Sequence, residues 1–193
     1  MPHEFLVLIS GSAQHHRIDL CQQLHTALSF NYQKPTLLRG LKMSSRFTIG
    51  FTGTRNGMTE HQRRNVFMSV AHILAHKDLV CAVHGDCEGA DTDFHDINIV
   101  LKASVAEGRH TIKIRPCNHS SRAFNKGADI TSPVKGPLDR NLDIISDCDV
   151  LIACPPTMEE IRRSGTWHTI RHARLAEKPI VIVWPDGALT REG

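Results

Sequence analysis

Three short apolar runs in this chain each end in a turn of small or polar residues that opens a helix-like stretch. The runs are Phe47–Thr52, Leu79–Val83 and Asp149–Pro156, and the corresponding turns contain Gly53, Gly85 and Gly165. Repeated strand–turn–helix units pack into a parallel sheet covered by helices. The sequence therefore predicts an α/β fold of three layers, with a mostly parallel sheet and helices on both faces.

The spacing of apolar residues from Arg46 onward predicts alternating strands and helices. The predicted helices cover Thr59–Ala75, a stretch from about Ala90, Asp139–Asp147 and Trp167–Ala176. Further predicted strands cover His110–Arg115, Val150–Ala153 and Ile180–Trp184. The polar stretch from Pro116 to Leu138 is long for a compact α/β domain, so it is either a lid over a site or an irregular connection.

The first 45 residues are harder to place than the rest. Phe5–Ile9 has the pattern of a strand, and Ile18–Leu28 has that of an amphipathic helix. We divide the chain into an N-terminal leader, residues 1–45, which lies outside the core or supplies one element of it, and a core domain, residues 46–193. The start carries neither the basic residues nor the apolar run of an export signal, which predicts a cytoplasmic protein.

Composition excludes several classes of protein. No run approaches the roughly 20 apolar residues of a membrane span, and the six cysteines form no CxxC pair, which favours a reduced setting. The formal net charge is only +3 and aromatic residues make up 5% of the chain, so nucleic acid is disfavoured as a partner.

The first two turns carry groups suited to an anionic ligand. Gly53, Thr54 and Arg55 combine a tight bend with a hydroxyl and a guanidinium, although Arg55 could instead pair with Asp86 or Asp91. The second turn is denser, and its candidate ligand-binding residues are His84, Gly85, Asp86, Gly89, Ala90 and Asp91. Asp91 and His95 are four residues apart, so they could contact a ribose hydroxyl, act as base and partner, or hold a divalent ion; we predict no metal.

The third turn places Ser164, Gly165 and Thr166 at the start of a helix. Free main-chain N–H groups at such a start bind phosphate well. His168 and His172 are also four residues apart, but no glutamate follows His168 as in HExxH, so zinc is not expected.

These motifs together resemble the SLOG superfamily, which includes the DNA-processing protein DprA and the LOG phosphoribohydrolases. The matching segments are Gly53–Arg55, His84-Gly85, Glu88–Asp91, Arg140-Asn141 ahead of Asp149, and Ser164–Thr166. The resemblance covers about three quarters of the chain. It implies a Rossmann-like fold, a nucleotide-type ligand, Arg140 and Asn141 at the site, no further cofactor and a homo-oligomer.

One departure from the family concerns catalysis. LOG enzymes carry a glutamate in a PGGxGTxxE motif, whereas here the segment Thr157–Arg163 is inserted and Trp167, His168 and Thr169 follow Thr166. Asp91, Arg140 and Glu160 remain as catalytic candidates, with Glu159 and His168 as further substitutes. The resemblance thus favours nucleotide binding, with hydrolysis of a nucleoside 5′-monophosphate as the alternative and single-stranded DNA binding as a third class.

Overall fold

The structure is a computed structural model of the chain, and it describes residues 45–193. The predictions made for the leader, with its possible strand and helix, lie outside the described residues.

The described residues form one sheet of seven strands. The strands are β1 (Phe47–Gly53), β2 (Val80–His84), β3 (His110–Ile114), β4 (Ile130–Thr131), β5 (Val150–Cys154), β6 (Ile180–Val183) and β7 (Leu189–Glu192). Their order across the sheet is β4-β3-β2-β1-β5-β6-β7, and every neighbouring pair is parallel except β6 and β7. The first, second and third turns follow β1, β2 and β5. These three strands are adjacent in the sheet, so the turns leave it side by side.

Four helices cover the sheet in the described part of the chain. They are α1 (Glu60–His76), α2 (Ala90–Ala103), α3 (Pro137–Asp147) and α4 (Gly165–Leu175). Thr59 caps α1: its hydroxyl accepts from the N–H of Gln62, and the Gln62 side chain accepts from the N–H of Thr59. The mostly parallel sheet with its helices confirms the predicted α/β, Rossmann-like fold of three layers.

The helices pack apolar side chains against the sheet. On the side of α3 and α4, Ile144, Trp167 and Ile170 join the β5 and β6 side chains in one buried cluster. On α2, Phe94 stacks on Phe51 of β1 with ring centroids 4.2 Å apart. β2 is buried at every position, as expected for a central parallel strand.

The structure adds two strands that the sequence did not predict. β4 has only two residues and lies inside the polar stretch after Pro116, where both side chains are exposed. β7 returns antiparallel to β6 after the turn at Pro185–Gly187. Both are edge strands with little apolar patterning, so their pairing depends on the neighbouring strand more than on their own composition.

The helices of the described residues are those of a sheet-packed domain. None of them is both long and apolar enough to cross a membrane.

Candidate functional site

A cavity of about 470 Å³ lies beyond the carboxyl ends of the central strands. The turn after β1, the turn after β2, the start of α3 and the start of α4 all contribute to its wall. Because β2, β1 and β5 are adjacent and parallel, their carboxyl ends necessarily meet at this edge. Ligands of open α/β sheets commonly bind in such a crevice.

The structure brings most of the predicted site residues together. Those that line the cavity are Gly53, Thr54, Arg55, Asp91, Arg140, Asn141, Ser164, Gly165 and Thr166. Five predicted residues lie just behind the wall and do not line the cavity: His84, Gly85, Asp86, Gly89 and Ala90.

Gly89 and Ala90 join the first turn to the second. The N–H of Ala90 donates to the carbonyl of Thr54 at 2.9 Å, and a Cβ at Gly89 would collide with the backbone of Arg55. A Cβ at Gly53 would likewise collide with that of Ala90. The two turns therefore approach each other so closely that only small residues fit between them.

Arg55 is exposed at the cavity and makes no ion pair within residues 45–193. The alternative that it pairs with Asp86 or Asp91 is not what the structure shows. Asp86 pairs with Arg122 at 3.0 Å, and Asp91 pairs with Arg140 at 3.6 Å. The guanidinium of Arg55 is therefore available to an anion that enters the cavity.

Asp91 and Arg140 form a buried ion pair at the cavity wall. Both side chains are 8% exposed. Oδ2 of Asp91 also accepts from the N–H of Cys87 at 3.1 Å, and Nη2 of Arg140 donates to Sγ of Cys87 at 3.2 Å. Nε of Arg140 is buried without a partner in the described residues, which leaves this cation with an unused donor.

Burial and mutual attraction set the ionisation of this pair. Burial raises the pKa of Asp91 and outweighs the opposite effect of Arg140. For Arg140, burial favours loss of the proton, but the neighbouring Asp91 and Cys87 outweigh it and raise the pKa. Arg140 therefore keeps its charge, while Asp91 takes up a proton more readily than an exposed aspartate.

His84 belongs to a buried hydrogen-bond chain behind the cavity. Its Nδ1 accepts from the N–H of Asp86 at 3.2 Å, so its Nε2 carries the proton and donates to Nδ1 of His95 at 3.0 Å. Nε2 of His95 then donates to the carbonyl of Lys126 at 2.9 Å. Burial, and to a smaller extent the neighbouring His95, lowers the pKa of His84 to about 3, so the His84 ring is a neutral member of this chain rather than a free ligand group.

Asp86 fastens the long loop between β3 and α3 to the turn after β2. Besides the ion pair with Arg122, its Oδ1 accepts from the N–H of Asn125 at 2.9 Å, and its carbonyl accepts from the N–H of Ala123 at 2.8 Å. The carboxylate is fully buried and the residue has a φ of +56°. This anchoring places His119 and Ser121 of the loop in the cavity wall.

The start of α4 completes the opposite wall. Ser164 caps the helix by accepting from the N–H of Trp167 at 3.4 Å, and the Thr166 hydroxyl donates to the carbonyl of Gly53 at 2.8 Å. The N–H groups of the first helical turn, at Gly165 and Thr166, have no acceptor within the helix. A Cβ at Gly165 would meet nothing within 4 Å, so the space before this helix is open.

The three catalytic candidates separate in space. Asp91 and Arg140 line the cavity, whereas Glu160 does not and instead pairs with Arg171 at 2.7 Å. The acidic side chain that shares the cavity with Asp91 is Glu88, which is exposed. The sequence could have indicated Glu88, because it begins the segment Glu88–Asp91 that resembles the SLOG superfamily.

Sequence reasoning also missed several residues of the cavity wall. These are Cys87, Cys117, His119, Ser121, Leu138 and Arg163. Most of them lie on the long loop or in the inserted segment, where no regular spacing indicates which side chains turn inward.

The possible metal ligands have other partners. His95 is bonded on both ring nitrogens, and among residues 45–193 no cluster of three or more histidine, cysteine or acidic side chains is arranged to hold a metal ion.

Comparison with known proteins does not assign a function to the chain. No protein-family model and no curated protein matches the chain. Among solved structures, the chain is similar to the X-ray structure of TM1055, a target of the Northeast Structural Genomics Consortium. The two share 14% sequence identity with a TM-score of 0.47, and the match covers 69% of this chain and 72% of the other.

Proposed function

We propose that the protein binds a nucleotide or nucleotide-derived ligand in the cavity at the carboxyl edge of the sheet, as its resemblance to the SLOG superfamily implies. The observation that supports this proposal most strongly is that the free N–H groups at the start of α4 and the buried Arg140 line the same cavity. By the same resemblance we propose a homo-oligomer, and the irregular spacing of the six cysteines supports our proposal of a reduced, cytoplasmic setting.

The start of α4 is suited to hold a phosphate group. Main-chain N–H groups and the positive end of the helix dipole both favour an anion there. Arg55 lies at the same cavity with its guanidinium unpaired in the described residues, and Arg163 adds a second positive charge to the wall. An arginine can give two parallel hydrogen bonds to one phosphate.

The buried pair provides the groups for the rest of the ligand. Asp91 can accept a hydrogen bond from a ribose hydroxyl, and the positive charge of Arg140 can stabilise a second anionic or carbonyl group. The cavity volume of about 470 Å³ falls in the range of small-molecule sites, which is about 300–1,000 Å³.

A second candidate function is hydrolysis of the N-glycosidic bond of a nucleoside 5′-monophosphate. The observation that favours it is the raised pKa of Asp91, a carboxyl in the cavity wall. A carboxyl of this kind can donate a proton to a departing base, and the adjacent Glu88 can accept one from water. The products would be the free base and ribose 5-phosphate.

The binding proposal is tested by identifying the small molecules that the full-length protein retains through native purification. Mass spectrometry of the material released on denaturation should find a phosphate-bearing nucleotide. The Arg55→Gln protein should retain much less, because a phosphate contact is lost while the exposed side chain supports no other residue. The Arg64→Gln variant, altered at an exposed position on α1, should retain as much as the wild type. Equal retention by both variants would contradict the proposed role of Arg55.

The enzymatic alternative is tested by chromatographic detection of free base after incubation with nucleoside 5′-monophosphates. Hydrolysis predicts base release that falls at least about a hundredfold in Asp91→Asn, the loss typical of a general acid. Binding without any release of base would leave the nucleotide-binding proposal standing and reject the hydrolase.

A further inference from the structure

Two thiols lie in contact in the wall of the cavity. Sγ of Cys87, just after β2, is 3.9 Å from Sγ of Cys117, just after β3. Both cysteines are free, and both line the cavity. The proposed nucleotide site uses neither sulfur, so the pair requires a separate explanation.

The other described cysteines are placed differently. Cys81, Cys148 and Cys154 are buried, and within residues 45–193 none of them is hydrogen-bonded to a second thiol. They are small apolar core residues, whereas Cys87 and Cys117 form a pair.

Backbone contacts fix the positions of the two segments that carry these thiols. Cys87 pairs with Arg122 in an isolated antiparallel bridge, and the N–H of Glu88 donates to the carbonyl of Ser121 at 2.9 Å. Cys117 forms a second bridge with Lys135. A disulfide requires the sulfurs to approach to about 2.0 Å, which is a movement of about 2 Å from their present contact.

We propose that Cys87 and Cys117 are a redox-modification site, at which a small disulfide such as oxidised glutathione converts the two thiols into a reversible disulfide. The bond would fasten the long loop covalently to the turn after β2. The two cysteines are 30 positions apart in the sequence, so the cross-link would close a large loop of chain.

The reaction balances through two exchanges of thiol for disulfide. The thiolate of Cys87, the less buried of the two, attacks one sulfur of oxidised glutathione; a protein–glutathione bond forms and one glutathione leaves. The thiolate of Cys117 then attacks Sγ of Cys87 and releases the second glutathione. The protein loses two electrons and two protons, and the oxidant becomes two reduced glutathione molecules.

The surroundings of Cys87 govern the rate of the first exchange. Burial and the nearby Asp91 raise its pKa to about 11, against the opposite effect of the contact with Arg140. The thiolate fraction therefore grows as pH rises toward that value, and oxidation should accelerate about tenfold from about pH 7 to about pH 8.

The test is oxidation of the full-length protein with oxidised glutathione, after extensive dialysis has removed any nucleotide that the protein retains. After denaturation and alkylation, four of the six cysteines in the sequence should react, because two are consumed. Peptide mapping without reductant should show the Cys87 peptide joined to the Cys117 peptide, and dithiothreitol should restore all the thiols. The oxidised protein should also melt several degrees higher, because the cross-link restricts the unfolded chain.

Cysteine-to-serine variants distinguish oxidation of this pair from oxidation of the other thiols. Cys87→Ser and Cys117→Ser should both lose the joined peptides, whereas Cys81→Ser, which alters a buried thiol of β2, should retain them. Six reactive thiols after an exposure that fully oxidises dithiothreitol, or a disulfide that joins Cys87 to another cysteine, would overturn the proposal. Because no nucleotide is present, this result does not depend on whether the protein binds one.

Discussion

At the scale of single residues, the position of Arg140 depends on the absence of a side chain at Gly85. A Cβ built at Gly85 would fall on Nη1 of Arg140 and lie 2.8 Å from Oδ2 of Asp91. The sequence indicated that Gly85 belongs to the site, but as a candidate ligand-binding residue of the second turn. The structure gives it a different role: it leaves the volume that the buried guanidinium occupies.

Replacing Gly85 by alanine should therefore displace Arg140 and destabilise the protein. Overpacking a buried position costs about 1–3 kcal/mol, and we expect a loss of that size in the free energy of unfolding, measured by urea denaturation. The matched control is Gly165→Ala, since a Cβ at Gly165 meets nothing within 4 Å. If both variants unfolded at the same urea concentration as the wild type, Arg140 would not depend on the space left at Gly85.

At the scale of elements, a histidine chain links β2, α2 and the long loop. His84 remains neutral in the folded protein down to a pKa of about 3, whereas an ordinary histidine titrates near 6.5. The unfolded chain therefore binds an extra proton between these values. The stability that depends on neutral His84 is fully present above about pH 6.5 and is lost progressively as the pH falls toward 3.

This linkage predicts how steeply the free energy of unfolding changes with pH. Between about pH 6 and pH 4, His84 should contribute about 1.4 kcal/mol per pH unit to the change in unfolding free energy. His84→Gln should lower stability at pH 7 and reduce the slope by that amount. His61→Gln, at an exposed position of α1, should leave it unchanged. The buried neutral histidine would be disproved by equal slopes in wild type and His84→Gln.

The long loop depends on Asp86 for its attachment. The carboxylate of Asp86 is fully buried and holds both Arg122 and the N–H of Asn125. In Asp86→Asn the charge is removed, so Arg122 loses its ion-pair partner. Amide hydrogen exchange, followed by mass spectrometry, should then become faster from residue 118 to 127.

Asp96→Asn serves as the control for this change, because Asp96 is exposed on α2. Its exchange in the loop should match that of the wild type. Unchanged protection of the loop in Asp86→Asn would show that other contacts are sufficient to hold it.

At the scale of the whole molecule, the sequence predicted the fold well because local and global signals agree. Apolar runs of strand length and small residues after the strands both indicate the same parallel sheet. Three of the observed helices begin and end within about two residues of the predicted ones, and α2 begins at Ala90 as predicted. The cavity followed from the topology, because adjacent parallel strands bring their carboxyl ends together.

The contacts inside the site were less predictable. Arg140 pairs with Asp91 across 49 positions of sequence, and Cys87 meets Cys117 across 30. Side chains so far apart meet only after the sheet has formed, and an irregular loop gives no period from which to infer their direction. For the same reason the sequence left the partner of Arg55 open and kept Glu160 among the catalytic candidates.

The most direct measurement is isothermal titration of the full-length protein with adenosine 5′-monophosphate and with adenosine. We predict saturable binding of the nucleotide at least about tenfold tighter than that of the nucleoside, because in the proposed site the start of α4 and Arg55 would contact only the phosphate. Saturable binding of neither compound, with none of a wider panel of nucleotides, cyclic dinucleotides and ADP-ribose bound, would contradict the proposed function.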